Sequence, residues 1–164
     1  MTAFLCARCG VTLTPELTAL PTVPEPPDES ARDAETRRAA STVPRGRYAI
    51  EAEPWGAPYV PHEDPDAMVP CQPRGNIRIV DDACLISAGP RHTIVAHPED
   101  VPDLHPLPGW ENSSGCCGPA GTDGPNRACA CGNRLATLTA DCYTSYEMHL
   151  DPVRVHPVEV GVDG

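Results

Sequence analysis

The stretch Gly115-Cys116-Cys117-Gly118-Pro119-Ala120-Gly121-Thr122-Asp123-Gly124-Pro125-Asn126-Arg127-Ala128-Cys129-Ala130-Cys131-Gly132, followed by Asp141-Cys142, holds five of the nine cysteines in the 164-residue chain. Glycines stand against those cysteines at three points, which is the composition expected where backbone must turn tightly around a bound ion. Tetrahedral zinc takes four ligands, so one of the five thiols is surplus or serves elsewhere. The spacing suggests Cys117, Cys129, Cys131 and Cys142 as one set. Adjacent residues rarely chelate one ion in comfort, so Cys116 and Cys117 are expected to point apart, and Cys116 stands as the replacement for Cys117.

A second pattern lies at the other end of the chain. Cys6-Ala7-Arg8-Cys9-Gly10 has the shape of a zinc knuckle, in which a tight turn aims two thiolates at one ion and Gly10 lets the turn close. A thioredoxin-like redox pair also separates its cysteines by two residues, but it needs a full strand before it and a helix after it. Zinc is therefore the preferred reading. By elimination the knuckle's further ligands are Cys71 and Cys84, although Cys84, between Ala83 and Leu85-Ile86, also reads as a buried unliganded thiol. In an alternative arrangement Cys6 and Cys9 join Cys129 and Cys131 in a single ribbon.

The Cys6–Gly10 knuckle resembles those of zinc-ribbon proteins over about ten residues. Residues 115–142 resemble a Cys-rich segment of uncharacterised bacterial proteins. That resemblance carries no activity with it. The segment departs from an ordinary ribbon in using Cys-x-Cys where two intervening residues are usual.

Composition explains why metal is needed. Seven aromatic residues, 21 Pro and 13 Gly leave little room for long helices or a large aliphatic core. Small domains with thin cores substitute metal ions or disulfides for buried area. The N-terminus has no basic start and no apolar run of signal length, and no later run approaches membrane-spanning length. A cytoplasmic location is expected, where thiols stay reduced and clustered cysteines are read as metal ligands. One or two structural zinc ions are the expected cofactor.

Charge narrows the partners. All twelve basic residues are Arg, so no Schiff-base or P-loop lysine exists. A formal charge of −11 grows more negative around four-thiolate zinc sites, and counterion release rewards basic surfaces, so nucleic acid is not an expected partner. An unidentified protein partner is, and no membrane is expected.

The remaining pattern gives a small, mostly β, irregular α+β fold with short antiparallel strands and loop-rich knuckles. Three segments are expected: a zinc-knuckle segment over 1–20, a mobile Pro- and charge-rich linker over 21–46, and a β-rich domain over 47–164. Thr14 and Pro15 could open a short helix, and another is expected over 30–40. Strands are expected over 47–53, 77–81, 84–87, 93–96 and 134–140, with one or two more over 148–160. The 77–96 strands suggest an antiparallel meander. Trp55 and Tyr59 lie on a proline-rich extended stretch, as a docking strip or, preferably, a lid over the core.

Other chemistry is thin. His92, His97 and His105 lie near Glu99 and Asp100, but no zinc-protease or deaminase spacing links them. They are read as solvated loop histidines. Asp64, Asp66, Asp81 and Asp82 lack the regular ladder of a calcium loop. The functional expectation is a zinc-stabilised interaction module, more a non-enzyme than an enzyme. The alternative is a thiol-based redox enzyme or sensor using the vicinal cysteines, with Arg127 and Arg134 as the cations that would lower a thiol pKa.

Overall fold

The computed structural model describes residues 1–161, so the last three residues of the domain expected to reach 164 lie outside the described residues. Twelve short strands and three 3-10 turns make up the regular structure among the described residues. The principal sheet has seven strands in the order β2 (Thr18–Ala19), β3 (Arg47–Glu51), β7 (Thr93–Ala96), β11 (Glu147–Leu150), β10 (Arg134–Thr139), β9 (Arg127–Ala128) and β8 (His105–Pro106). Its pairings are antiparallel except the first, where β2 runs parallel to β3. Strand β1 (Thr2–Cys6) pairs antiparallel with β12 (Val155–Glu159), tying the two ends of the chain together. A third sheet orders β4 (Tyr59–Pro61), β6 (Ala83–Ser87) and β5 (Ile79–Val80).

The expected small β fold is thus observed. Strands β3, β7 and β10 fall where alternating or β-branched sequence put them, and β11 and β12 share the 148–160 stretch. The meander is not formed. β5 and β6 do make an antiparallel pair, but β7 leaves them and inserts between β3 and β11 in the principal sheet. All four residues of β7 and of β11 are buried, as central strands covered on both faces must be.

Both expected helices are absent, for reasons visible in local hydrogen bonds. The Thr14 hydroxyl accepts from Phe4 N–H at 3.0 Å and Leu13 N–H donates to the Phe4 carbonyl, so this segment pairs with β1. Over 30–40 only the 3-10 turn Glu29–Ala31 forms, capped by Asp28. Beyond it Arg32 is extended, and the Asp33 carboxylate captures the Glu35 and Thr36 amides at 2.9 and 2.8 Å. Asp side chains that satisfy nearby amides in this way compete directly with helix formation.

Residues 21–46 touch the body at defined points. Val43 is fully buried, Arg38 lies over the Tyr146 ring at 4.1 Å, and Asp100 accepts from both Arg45 Nε (2.6 Å) and Gly46 N–H (2.7 Å). The core itself joins both chain ends, with Phe4, Leu13, Leu17, Leu135, Leu150 and Val155 in one cluster that includes Cys6 and Cys129. No helix among the described residues is long and apolar enough to cross a membrane.

Candidate metal centres

Strand β10 carries a cysteine cluster at each end. At its start, the turn from β9 into β10 presents Cys129 and Cys131, and the knuckle after β1 presents Cys6 and Cys9. The four sulfurs lie within 4.8 Å of one another, with Cys6 to Cys131 at 3.7 Å and Cys9 to Cys129 at 3.6 Å. Four sulfurs about 2.3 Å from a tetrahedral zinc would stand about 3.8 Å apart. The observed spacings match that figure.

The two turns solve the same problem with different lengths. In the first, Gly10 N–H donates to the Cys6 carbonyl at 2.8 Å; in the second, Gly132 N–H donates to the Cys129 carbonyl, also at 2.8 Å. Both glycines have positive φ, 77° and 89°, where a side chain would be strained. The Cys-x-Cys spacing is therefore a knuckle tightened by one residue, and it still aims both sulfurs inward.

Burial and hydrogen bonding shift Cys6 and Cys129 in opposite directions. Burial opposes ionisation of Cys6, but Asn133 Nδ2 at 3.3 Å and the Cys9 and Arg8 amides outweigh it and bring its pKa down to about 6. Burial and the neighbouring sulfurs push Cys129 up to about 12. Four thiols so close together cannot all ionise without a cation to offset them. Asn133 was not singled out in the sequence. It is held by the Arg154 carbonyl at 3.2 Å, and only the β1–β12 pairing brings it to Cys6.

The cysteines are distributed differently from the assignment by elimination. Cys71 and Cys84 lie at the small sheet, away from both clusters, and both are buried. Cys84 Sγ faces the Val69 carbonyl at 3.4 Å, and burial raises the Cys71 thiol. Cys117 and Cys142 do not join Cys129 and Cys131, because β10 separates them. The alternative single-ribbon grouping of Cys6, Cys9, Cys129 and Cys131 is the one the fold assembles.

At the far end of β10, Cys116, Cys117, Asp141 and Cys142 converge within the same 4.8 Å limit. Cys116 and Cys117 do not point apart, since their sulfurs are 3.5 Å from each other and Cys116 is 3.2 Å from Cys142. Adjacent side chains converge here because the 115–118 loop is folded tightly onto the β10–β11 turn. A Cβ on Gly118 would come within 2.8 Å of the Ala140 carbonyl, and one on Gly115 within 2.9 Å of the Asp141 carboxylate carbon. Cys116 is held above its ordinary pKa first by its hydrogen bond to the Cys142 sulfur, with the Asp141 charge adding to the shift. Arg32 and Arg37 share a pocket with Cys142, and the Arg32 guanidinium donates to the Cys142 carbonyl at 2.7 Å, while Arg127 donates to the Asn126 carbonyl.

A buried polar network forms a third candidate. Arg74 bridges Glu147 (2.6 and 3.2 Å) and Glu51 (2.7 Å), and Glu147 accepts from His149 Nε2 at 2.6 Å. Thr93 Oγ1 closes the chain on Nδ1 at 2.8 Å, and Trp55 stacks on the imidazole with centroids 3.5 Å apart. Burial lowers the His149 pKa, while the Glu147 carboxylate, which can only accept, takes the proton-bearing Nε2. A cavity of about 220 Å³ opens beside Trp55 and His149. With both ring nitrogens engaged and one face covered, His149 is held in one orientation, and the network fastens β7, β11 and the Trp55 segment together. Trp55 accordingly sits inside, at 3% exposure. Of the loop histidines, His97 is engaged locally, accepting from Glu99 N–H at 3.1 Å.

Comparison with family models, with curated proteins and with solved structures finds no match for the chain.

Proposed function

We propose that the chain is a zinc-binding, metal-stabilised protein-interaction module in which Cys6, Cys9, Cys129 and Cys131 hold one structural ion. The observation that carries this reading is the convergence of four sulfurs, from knuckles 120 residues apart in sequence, at spacings suited to tetrahedral zinc. Thiolates are soft ligands, and a closed four-sulfur set leaves no position open for substrate, which is the mark of a structural site. The ion would staple β1 to the start of β10 and so supply cohesion that the small core lacks. The same paired knuckles support a zinc-ribbon-like reading.

The interaction part of the reading draws on the small third sheet. Val60, Met68, Val69, Ile77, Ile79 and Val80 are all exposed around it. Elemental analysis of protein purified without added zinc tests the metal claim, with one zinc retained per chain at this site as the expected result. Capture of partners by the unmodified chain but not by an Ile79→Asp/Val80→Asp variant tests the surface. Zinc-free, fully folded protein would overturn the reading.

The exposure of Cys116 and Cys117 favours a second reading, a thiol-based sensor or redox enzyme. Its weakness is electrostatic: reactive thiolates need a lowered pKa, and Cys116 is shifted the other way.

A further inference from the structure

We propose that Cys116, Cys117, Cys142 and Asp141 form a second, solvent-open site that binds a thiophilic divalent cation and exchanges it. The site is independent of the ion at the four-cysteine centre and lies at the opposite end of β10.

Three sulfurs and a carboxylate oxygen within 4.8 Å form a complete four-donor set for an ion of zinc's or cadmium's size and softness. The set is preformed by the backbone. Asp141 Oδ1 accepts Cys117 N–H at 2.8 Å, which fixes the loop to the turn, and Asp141 N–H donates to Thr144 Oγ1 at 3.0 Å, which fixes the turn itself. Asp141 is buried although its neighbours are not, so its carboxylate is held in place before any ion arrives. Gly115 and Gly118 are required for the contact, because side chains there would meet the turn. Hard cations such as calcium are disfavoured, since three of the four donors are sulfur.

Lability follows from composition and exposure. The first centre offers four thiolates, two of them buried in the hydrophobic core. The second substitutes a carboxylate for one thiolate, exposes Cys116 and Cys117, and leaves Cys142 half-buried. Water and competing ligands can therefore reach an ion there. Three thiolates and Asp141 around a divalent ion leave a net charge of about −2, which the Arg32 guanidinium against the Cys142 carbonyl partly offsets.

The test uses the full-length protein and cadmium as the probe. Protein dialysed against EDTA is titrated with Cd²⁺, and ions are counted and identified by native mass spectrometry alongside the thiolate-to-cadmium absorption band. The expected product is a chain carrying one retained zinc and one cadmium. A Cys116→Ser/Cys142→Ser variant should keep its zinc and lose cadmium binding by more than the roughly 10–100-fold that losing an outer-shell partner costs. Cys117→Ser, in an exposed position, should do the same and guards against misfolding of the double variant. If dialysis strips both ions, two cadmium ions in the unmodified chain against one in the variants still supports the site. Cadmium that enters only by displacing zinc, or that binds the variants as tightly as the unmodified chain, overturns it. Loss of the zinc alone, with cadmium binding still abolished by Cys117→Ser, would count against the first centre and leave the second standing.

Discussion

The two cysteine clusters share one strand and differ in almost everything else. At the start of β10, Cys6 and Cys129 are part of the hydrophobic core, and the donors come from opposite ends of the chain. At its end, the donors come from a loop and a turn only about 25 residues apart, and two of the three sulfurs face solvent. A metal in the first cluster closes a loop of more than 100 residues and is inseparable from folding. A metal in the second closes a short loop that already has its own hydrogen bonds. The number of sulfurs matters less to the fold than what the ion joins.

Breaking the first cluster should have the largest effect. Cys129→Ser is expected to lose zinc, unpair β1 from β12 and destabilise the chain by several kcal/mol, because binding free energy in such sites is largely folding free energy. Urea unfolding with metal analysis measures it. Arg74→Met sharpens the comparison by striking a part of the core that holds no metal. It leaves Glu51 and Glu147 buried without their cation and should cost about 3–5 kcal/mol with zinc content unchanged.

Acid offers a graded test of the same network. Burial opposes ionisation of Glu147, but the His149 hydrogen bond and Arg74 bring its pKa down to about 2 from 4.5, so its contribution is complete above pH 4.5 and is lost as pH falls toward 2. The His149 pKa is lowered by burial, so the unfolded chain takes up this proton at higher pH than the fold does, and the group acts in the same direction. Stability should therefore fall from pH 6.5 downward and more steeply below 4.5. In Glu147→Gln the steeper portion should flatten while acid release of zinc, governed by the thiolates, stays where it was. The smallest effect is expected for Cys116→Ser, an exposed position whose loss should change stability by no more than about 0.5 kcal/mol. A loss comparable to that of Cys129→Ser would erase the distinction between the clusters.

What the sequence made legible was local. Arg134-Leu-Ala-Thr-Leu-Thr alternates as β10 does, and Cys6-Ala-Arg-Cys9-Gly10 carries its turn in its glycine. What it hid was pairing at a distance. The grouping of Cys6 and Cys9 with Cys129 and Cys131 could be named from the sequence only as an alternative, because choosing it depends on β1 finding β12, a contact across nearly the whole chain that no spacing encodes. Assignment by elimination therefore points to Cys71 and Cys84, although the apolar neighbours Leu85 and Ile86 of Cys84 already signal burial. Asn133 and the Arg74–Glu147–His149 chain were hidden for the same reason, since each partner is an ordinary polar residue until the sheet brings them together. The convergence of Cys116 and Cys117 runs against the rule that adjacent residues rarely chelate one ion, and it is possible here because Gly115 and Gly118 let the loop lie tightly against the β10–β11 turn. Over 30–40 the helical composition was real, but Asp33 had nearer amides to satisfy.

The central claim is that Cys6, Cys9, Cys129 and Cys131 hold a structural zinc. X-ray absorption at the zinc edge, on full-length protein dialysed against EDTA to empty any labile site, reads that ligand set directly. The account predicts one zinc per chain surrounded by four sulfurs at about 2.3 Å. A shell containing nitrogen or oxygen, or folded protein with no zinc at all, would contradict it.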